Sequence, residues 1–189
     1  MQASTTPRFA LFDTPVGVCA LAWGGHGIVG VLLPEATPAA MRVRLRRRHP
    51  GAIESPLPPD MQAVVARIRA LLAGARDDLA DIALDMRELA PFQREVYALT
   101  RRIGPGRTRS YGEIASELGA PQAARAVGQA LGENPFPIIV PCHRVLAAGA
   151  KAGGFSAPGG TRTKLRLLEI EGALLGGTPG LFDTPPPCA

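Results

Sequence analysis

Five consecutive residues, Pro141-Cys142-His143-Arg144-Val145, set a thiol, an imidazole and a guanidinium side by side. A thiol is a strong nucleophile only as thiolate, and a neighbouring base supplies thiolate near neutral pH. The run therefore points to covalent chemistry at Cys142. A Cys that follows an aliphatic stretch, here Pro137-Ile138-Ile139-Val140, can also be a buried, inert thiol. The adjacent His and Arg weigh against that, because charged groups need solvent or partners. Side chains at adjacent positions rarely bond each other. The imidazole should therefore reach the thiol through a water, or be oriented by a third group elsewhere in the chain.

A second stretch, Gln122 to Leu131, reads as a helix with Val127 and Leu131 toward the core and Ala124, Arg125 and Gly128 on another side. An ordinary major-groove reader carries several long polar side chains on its exposed face. A face of Ala and Gly with one Arg suits a narrow groove and local unstacking. The plain alternative is a good helix former packed against a neighbour.

These residues need elements to position them. Phe9 to Phe12, Val16 to Trp23 and Ile28 to Leu33 read as strands separated by turns at Asp13-Thr14-Pro15 and Gly24-Gly25-His26-Gly27, an antiparallel meander. Thr37-Pro38 opens a helix to about Arg48, and Pro59-Asp60 opens another with Val64, Val65, Ile68, Leu71 and Leu72 at helical spacing. Ile82 to Met86 returns as a strand, and a break near Arg87 to Pro91 marks a domain boundary. Phe92, Val96, Leu99 and Ile103 form the stripe of the next helix. Ser110 caps a helix from Tyr111, with Glu113 completing a capping box. After Gly119-Ala120-Pro121 a second helix runs to about Gly132, which makes a helix-turn-helix. A last helix spans Thr161 to Glu171, with Leu165, Leu167 and Leu168 inward. The letters LFDTP occur at 11–15 and again at 181–185, a coincidence by default.

Composition narrows the class. The chain has 189 residues, 46% of them hydrophobic, enough for one sizeable core or two small ones. Its net charge is +5; residues 1–100 hold 11 basic and 10 acidic side chains, and residues 101–189 hold 10 and 6. A basic second half fits a polyanionic partner, nucleic acid first, though ordinary solubility explains it equally well. Cys19, Cys142 and Cys188 are an odd number at wide spacing, so a disulfide framework is excluded and a reducing, cytoplasmic setting expected. No apolar run could span a bilayer, and Met1 to Arg8 lacks a secretory core. Cys19 and His26 are a weak pair, so no metal is expected; His26 and His49 read as turn and helix-end residues. The run Arg42, Arg44, Arg46, Arg47, Arg48 reads as a solvated helix face with a secondary role on phosphates.

Several fragments in this order and spacing resemble one family. They are Pro91-Phe92-Gln93, Arg109 through Ala115, Ala123 through Gly128, Asn134-Pro135, Pro141 to Val145, and Lys164 through Leu168 to Glu171-Gly172. The chain resembles the O6-alkylguanine-DNA alkyltransferases over most of residues 87–172, and only loosely before that. The resemblance implies an α+β protein. A ribonuclease-H-like α/β domain would span 1–86, and a mostly helical, winged-helix-like domain with the helix-turn-helix 87–172. A Gly/Pro-rich tail would follow over 173–189. It also implies roles. Cys142 would accept the alkyl group and keep it, with His143 as base through a water, Glu171 orienting His143, and Asn134 bracing the active-site turn. Ser110, Tyr111, Ala124, Arg125, Gly128 and Arg144 would contact DNA. Tyr111 would press on the phosphate 3′ to the target, and Arg125 would fill the vacated stack. Val145, Phe155, Ser156 and Lys164 would hold the base: the carbonyls of Val145 and Cys142 on its amino group, Ser156 N–H near O6, and Lys164 supporting the tyrosine and the proton balance.

The implied partner is double-stranded DNA carrying O6-alkylguanine, the implied state a monomer, and no cofactor or membrane is called for. Two departures stand out. Phe155 replaces the family's usual Tyr, and Ala157-Pro158-Gly159-Gly160 is about two residues longer than usual. A lesion-binding relative without transfer and a Cys-His-Glu hydrolase are the competing readings; the hydrolase leaves the helix-turn-helix and Arg125 unexplained.

Overall fold

Strand formers alternate from Arg8 onward, and three strands result: β1 (Arg8–Thr14), β2 (Gly17–Gly24) and β3 (Gly27–Leu32). The computed structural model describes residues 6–150 and 152–173. The strands pair antiparallel, in the expected meander, with β2 in the middle. The first turn is shifted: Asp13 and Thr14 stay in the ladder opposite Val18 and Gly17, and the chain reverses at Pro15-Val16. Thr14 Oγ1 fixes the reversal by donating to Gly17 O at 2.6 Å.

Both faces of the sheet are covered. Helix α1 (Pro38–Arg48) begins at Thr37, whose Oγ1 accepts from Ala40 N at 3.1 Å. Its Met41 and Leu45 pack on Phe9, Ala20, Ala22 and Leu32. Helix α2 (Pro59–Leu72) places Val65, Ile68, Leu71 and Leu72 in the cluster of the opposite face, with Phe12, Cys19, Leu21 and Ile28.

Two expectations about strands change. A short strand, β4 (Ile53–Glu54), runs parallel to β1 with no alternation to announce it. It exists because Ile53 N and Ser55 N find Pro7 O and Phe9 O on the open edge of β1, at 3.0 and 2.9 Å. Conversely, Ile82 to Met86 forms no strand, only a bridge between Leu84 and Ile28. The edge of β3 beyond that point is taken by Pro135, whose carbonyl accepts from Val31 N at 2.8 Å.

The second half holds α3 (Pro91–Arg101), β5 (Arg109–Ser110), α4 (Tyr111–Glu117), α5 (Ala124–Gly132), β6 (Val145–Leu146) and α6 (Thr161–Ile170). Strands β5 and β6 pair parallel. The capping box forms: Glu113 N donates to Ser110 Oγ at 3.1 Å, and Ser110 N donates to the Glu113 carboxylate at 2.6 Å. Leu165 does not face inward as expected and is 39% exposed. The buried stripe of α6 is Lys164, Leu167, Leu168 and then Glu171, the i, i+3, i+4, i+7 pattern, and Leu165 lies one residue off it.

One apolar cluster runs through both halves, with Val96, Tyr97, Ile138 and Ile139 joining Phe12, Leu21 and Ile68. Arg101 adds a polar clasp, its Nη2 donating to the carbonyls of Leu79, Ala80 and Ile82 at 3.1, 2.7 and 2.8 Å. The protein is α+β. Among the described residues, no helix is long and apolar enough to cross a membrane. Cys188, the second LFDTP and the tail beyond Ala173 lie outside the described residues.

Candidate active site

Cys142 opens a single 3₁₀ turn, Cys142–Arg144, that leads directly into β6. The apolar stretch before it is a tight turn and not a strand: Val140 N donates to Phe136 O at 2.8 Å, and Ile138 has φ +79°. That φ is unfavourable for a β-branched residue and needs surrounding support. Asn134 gives it. Its Nδ2 donates to Val140 O and its Oδ1 accepts from Phe136 N, both at 2.9 Å. Cys142 is 7% exposed, and burial raises its thiol pKa against the opposing pull of Asn134, Lys164 and the local backbone N–H groups.

Glu171 is delivered by the end of α6. Gly172 adopts φ +69°, Ala173 N donates to Leu168 O at 2.9 Å, and Gly172 N donates to Glu169 O at 3.0 Å. This is a Schellman stop, which suits glycine at the left-handed position and leaves Glu171 as the C-cap. Its carboxylate lies 2.9 Å from His143 Nε2 and accepts two bonds from Arg144, from Nε and Nη2, at 2.8 Å each. Burial alone would raise the Glu171 pKa. The hydrogen bonds and charges of His143 and Arg144 outweigh that and bring it to about 2. Burial lowers the His143 pKa despite Glu171, so the ring is neutral at pH 7. Facing a carboxylate, the neutral ring must carry its proton on Nε2 and donate it. Nδ1 then keeps a lone pair, and it is buried with no partner among the described residues. The site thus holds a thiol, a free basic nitrogen and an orienting carboxylate.

Arg144 corrects an expectation. It was to contact DNA, yet it is fully buried, with its guanidinium bound to Glu171 and, through Nη1, to Ile103 O at 2.5 Å. It acts as the counter-charge of Glu171. No sequence signal gave that away, since an Arg beside a reactive Cys reads by default as solvated.

Lys164 is also fully buried, and its Nζ donates to Val145 O at 2.6 Å and sits 5.7 Å from the Tyr111 ring centroid. Burial lowers its pKa to about 8, opposed by Cys142. The Tyr111 ring leans against Gly128 and Gly153, and burial raises its hydroxyl pKa. Tyr111, Gly128, Leu131, Cys142, Phe155 and Ser156 border a cavity of about 360 Å³. Its size is at the lower end for a ligand pocket. The structure therefore gathers Tyr111, Gly128, Phe155 and Ser156 around Cys142, with Asn134, His143, Lys164 and Glu171 behind it. Ala124 is half-buried on α5, Arg125 projects from it into solvent, and Ser110 is engaged in its cap.

Cys19 stands apart, buried on β2, with burial pushing its thiol up to about 11 against a contact from Thr14. Among the described residues, no three His, Cys, Asp or Glu side chains are placed to hold a metal ion.

Residues 91–173 match the family described as 6-O-methylguanine DNA methyltransferase, DNA binding domain. A Mycobacterium tuberculosis protein named methylated-DNA–protein-cysteine methyltransferase is 38% identical over 176 residues, 93% of this chain and 99% of the relative. One of the same name from Methanothermobacter thermautotrophicus is 32% identical over 93% of this chain and 92% of its own length. The backbone is similar to that of Mycobacterium tuberculosis OGT solved in complex with DNA. The TM-score is 0.72 at 37% identity, over 87% of this chain and 92% of that one.

Proposed function

The chain belongs to the methylated-DNA–protein-cysteine methyltransferase family, and we propose that it repairs double-stranded DNA by moving an alkyl group from guanine O6 onto its own Cys142. The observation that carries this reading is the buried row Cys142, His143, Glu171, with Cys142 in the wall of a cavity that opens beside α5 and the other two behind it. An alkyl on O6 is hidden in the duplex, so the base must leave the stack to reach the sulfur. On this reading α5 enters the minor groove, with Ala124 and Gly128 allowing close approach, Arg125 taking the vacated place, and Ser110 and Tyr111 meeting the backbone. The Cys142 proton passes to His143 Nδ1 through a water, and Glu171 stabilises the resulting imidazolium. Sulfur attacks the alkyl carbon, the C–O6 bond breaks, and the electron pair leaves on guanine, which then takes a proton. Ser156 N–H near O6 and the carbonyls of Val145 and Cys142 hold the base, with Phe155 as a wall. The thioether product is stable, so each chain acts once.

The same reading takes residues 1–86 as a ribonuclease-H-like unit, 87–172 as a winged-helix-like unit, and the protein as a cytoplasmic monomer. A duplex carrying radiolabelled O6-methylguanine tests the function. Label should appear on Cys142 and saturate at one per chain. Tight binding without transfer would make the protein a lesion binder, and repeated turnover of an ester or amide would make it a hydrolase.

A further inference from the structure

The stretch Ala157-Pro158-Gly159-Gly160, which makes the loop before α6 longer than usual, closes as a β-turn. Gly160 N donates to Ala157 O at 3.0 Å, Pro158 holds the second position, and Gly159 holds the third with φ +81°. A positive φ at the third position makes the turn type II, in which the central peptide is flipped relative to type I. The carbonyl of that peptide belongs to Pro158, and Thr163 Oγ1 donates to it at 2.6 Å. A type I turn would point this carbonyl away from Thr163. Only glycine suits the third position, because a Cβ there would strike Thr163 Oγ1.

The other end of the loop is held from the same helical turn. Thr161 Oγ1 donates to Gly153 O at 3.2 Å, and Gly153 lies against the Tyr111 ring. Neither threonine caps α6, whose N-cap is Gly160 with no side-chain bond, so both hydroxyls go to the loop. Between the two held carbonyls lie Gly154, Phe155 and Ser156, which border the cavity with Cys142. Among the described residues, no backbone hydrogen bond holds any of these three. Phe155 and Ala157 pack on the core, but apolar contact has no direction and cannot aim an N–H group. The aim of this wall is therefore set by the two threonines.

We propose that Thr163, assisted by Thr161, is a positioning residue for alkyl transfer. It touches neither base nor sulfur. It acts through Pro158 and fixes the turn that holds Phe155 and Ser156 beside Cys142, with Ser156 N–H directed at guanine O6. The proposal rests on the alkyltransferase reading. A donor fixed in advance toward the oxygen that gains charge lowers the barrier without reorganising at the moment of reaction. A loop whose turn can flip must be reordered first. The same helix continues into Lys164, bound to Val145 O, and ends at Glu171, so one element sets the loop and the His143 partner together.

Single-turnover transfer from a duplex bearing O6-methylguanine tests this, run over a series of protein concentrations to separate the saturated rate from the half-saturating concentration. In Thr163→Val the saturated rate should fall about fivefold, the scale of one lost hydrogen bond, with the half-saturating concentration unchanged. Thr163→Ser keeps a hydroxyl and should restore the rate. Adding Thr161→Val to Thr163→Val should deepen the fall. Chymotrypsin, which cuts after aromatic residues, gives a readout independent of activity: cleavage after Phe155 should quicken in Thr163→Val, while cleavage after the buried Tyr97 should not. An unchanged saturated rate overturns the proposal, as does a fall that Ser does not restore or a loss confined to the half-saturating concentration. Faster cleavage at both sites would mean general destabilisation and would overturn it too. Absence of methyl transfer by the unaltered protein would sink the alkyltransferase reading instead, and the cleavage comparison would then decide by itself whether Thr163 holds the loop.

Discussion

Glu171 holds His143 in one tautomer and neutralises a buried guanidinium with the same two oxygens. Glu171→Gln should therefore do two things. It leaves Arg144 buried without a counter-charge, a loss of about 3–5 kcal/mol in stability by denaturant unfolding. It also flattens the acid limb of stability. The Glu171 pKa falls on folding from 4.5 to about 2, so its contribution is complete above 4.5 and disappears as pH drops toward 2. A Gln variant with the same acid profile as the parent would contradict this. His143 gives a second expectation. Its pKa lies below 6.5, so the basic nitrogen is available through pH 6.5 and is lost only under more acidic conditions. The single-turnover rate should fall on the acid side only below pH 6.5, and a midpoint above 6.5 would require a charged ring at rest.

At the scale of elements, α5 trades stability for access. A Cβ built on Gly128 would sit 3.8 Å from the Tyr111 ring, an ordinary contact, so Gly128→Ala fits the free protein. Alanine in a helix interior gains up to about 1 kcal/mol over glycine, and the thermal midpoint should rise by about 2–4 °C. Transfer from a duplex should nevertheless slow by about tenfold or more, because the added methyl stands at the cavity lining, on the face proposed to meet DNA. Retained rates in a stabilised variant would remove that face from the function. The elements that were readable in advance carry their signal locally: Thr37 and Ser110 as caps, Pro59 and Pro91 as helix openings, the two glycine-rich breaks. The unreadable ones depend on distant backbone. Ile53–Glu54 is a strand only because β1 offers an edge, Ile82 to Met86 is not one because Pro135 reaches β3 first, and Leu165 was misplaced because a buried Lys164 takes the inward position a leucine would fill.

For the whole molecule, the surplus of basic residues overstates what DNA can meet. Of the ten in the second half, Arg144 and Lys164 are buried, Arg101 clasps carbonyls, and Arg102 and Arg109 share Glu117. Arg166 donates to Pro15 O at 3.3 Å, Lys151 lies outside the described residues, and Arg107, Arg125 and Arg162 remain exposed without a side-chain partner among the described residues. About three neutralised phosphates predict a slope near −3 for log K against log[salt]. Fluorescence anisotropy of a labelled duplex over a salt series measures it, and a slope steeper than about −6 would mean that the arginines of α1 join the contact. The candidate catalytic row was legible from residue types and order. The small cavity that Arg48 and Cys142 both border was not, because the two are far apart in sequence and only the packing of α1 on the sheet brings them to it. The seclusion of Cys142 has a further consequence. On the proposed mechanism the nucleophile is consumed by its own product, so a stray encounter with a small oxidant or electrophile would waste the whole chain. Nearly buried, and with its thiol pKa raised by that burial, the sulfur is less often thiolate between encounters, which slows such losses while leaving the cavity open to a guest that fills it.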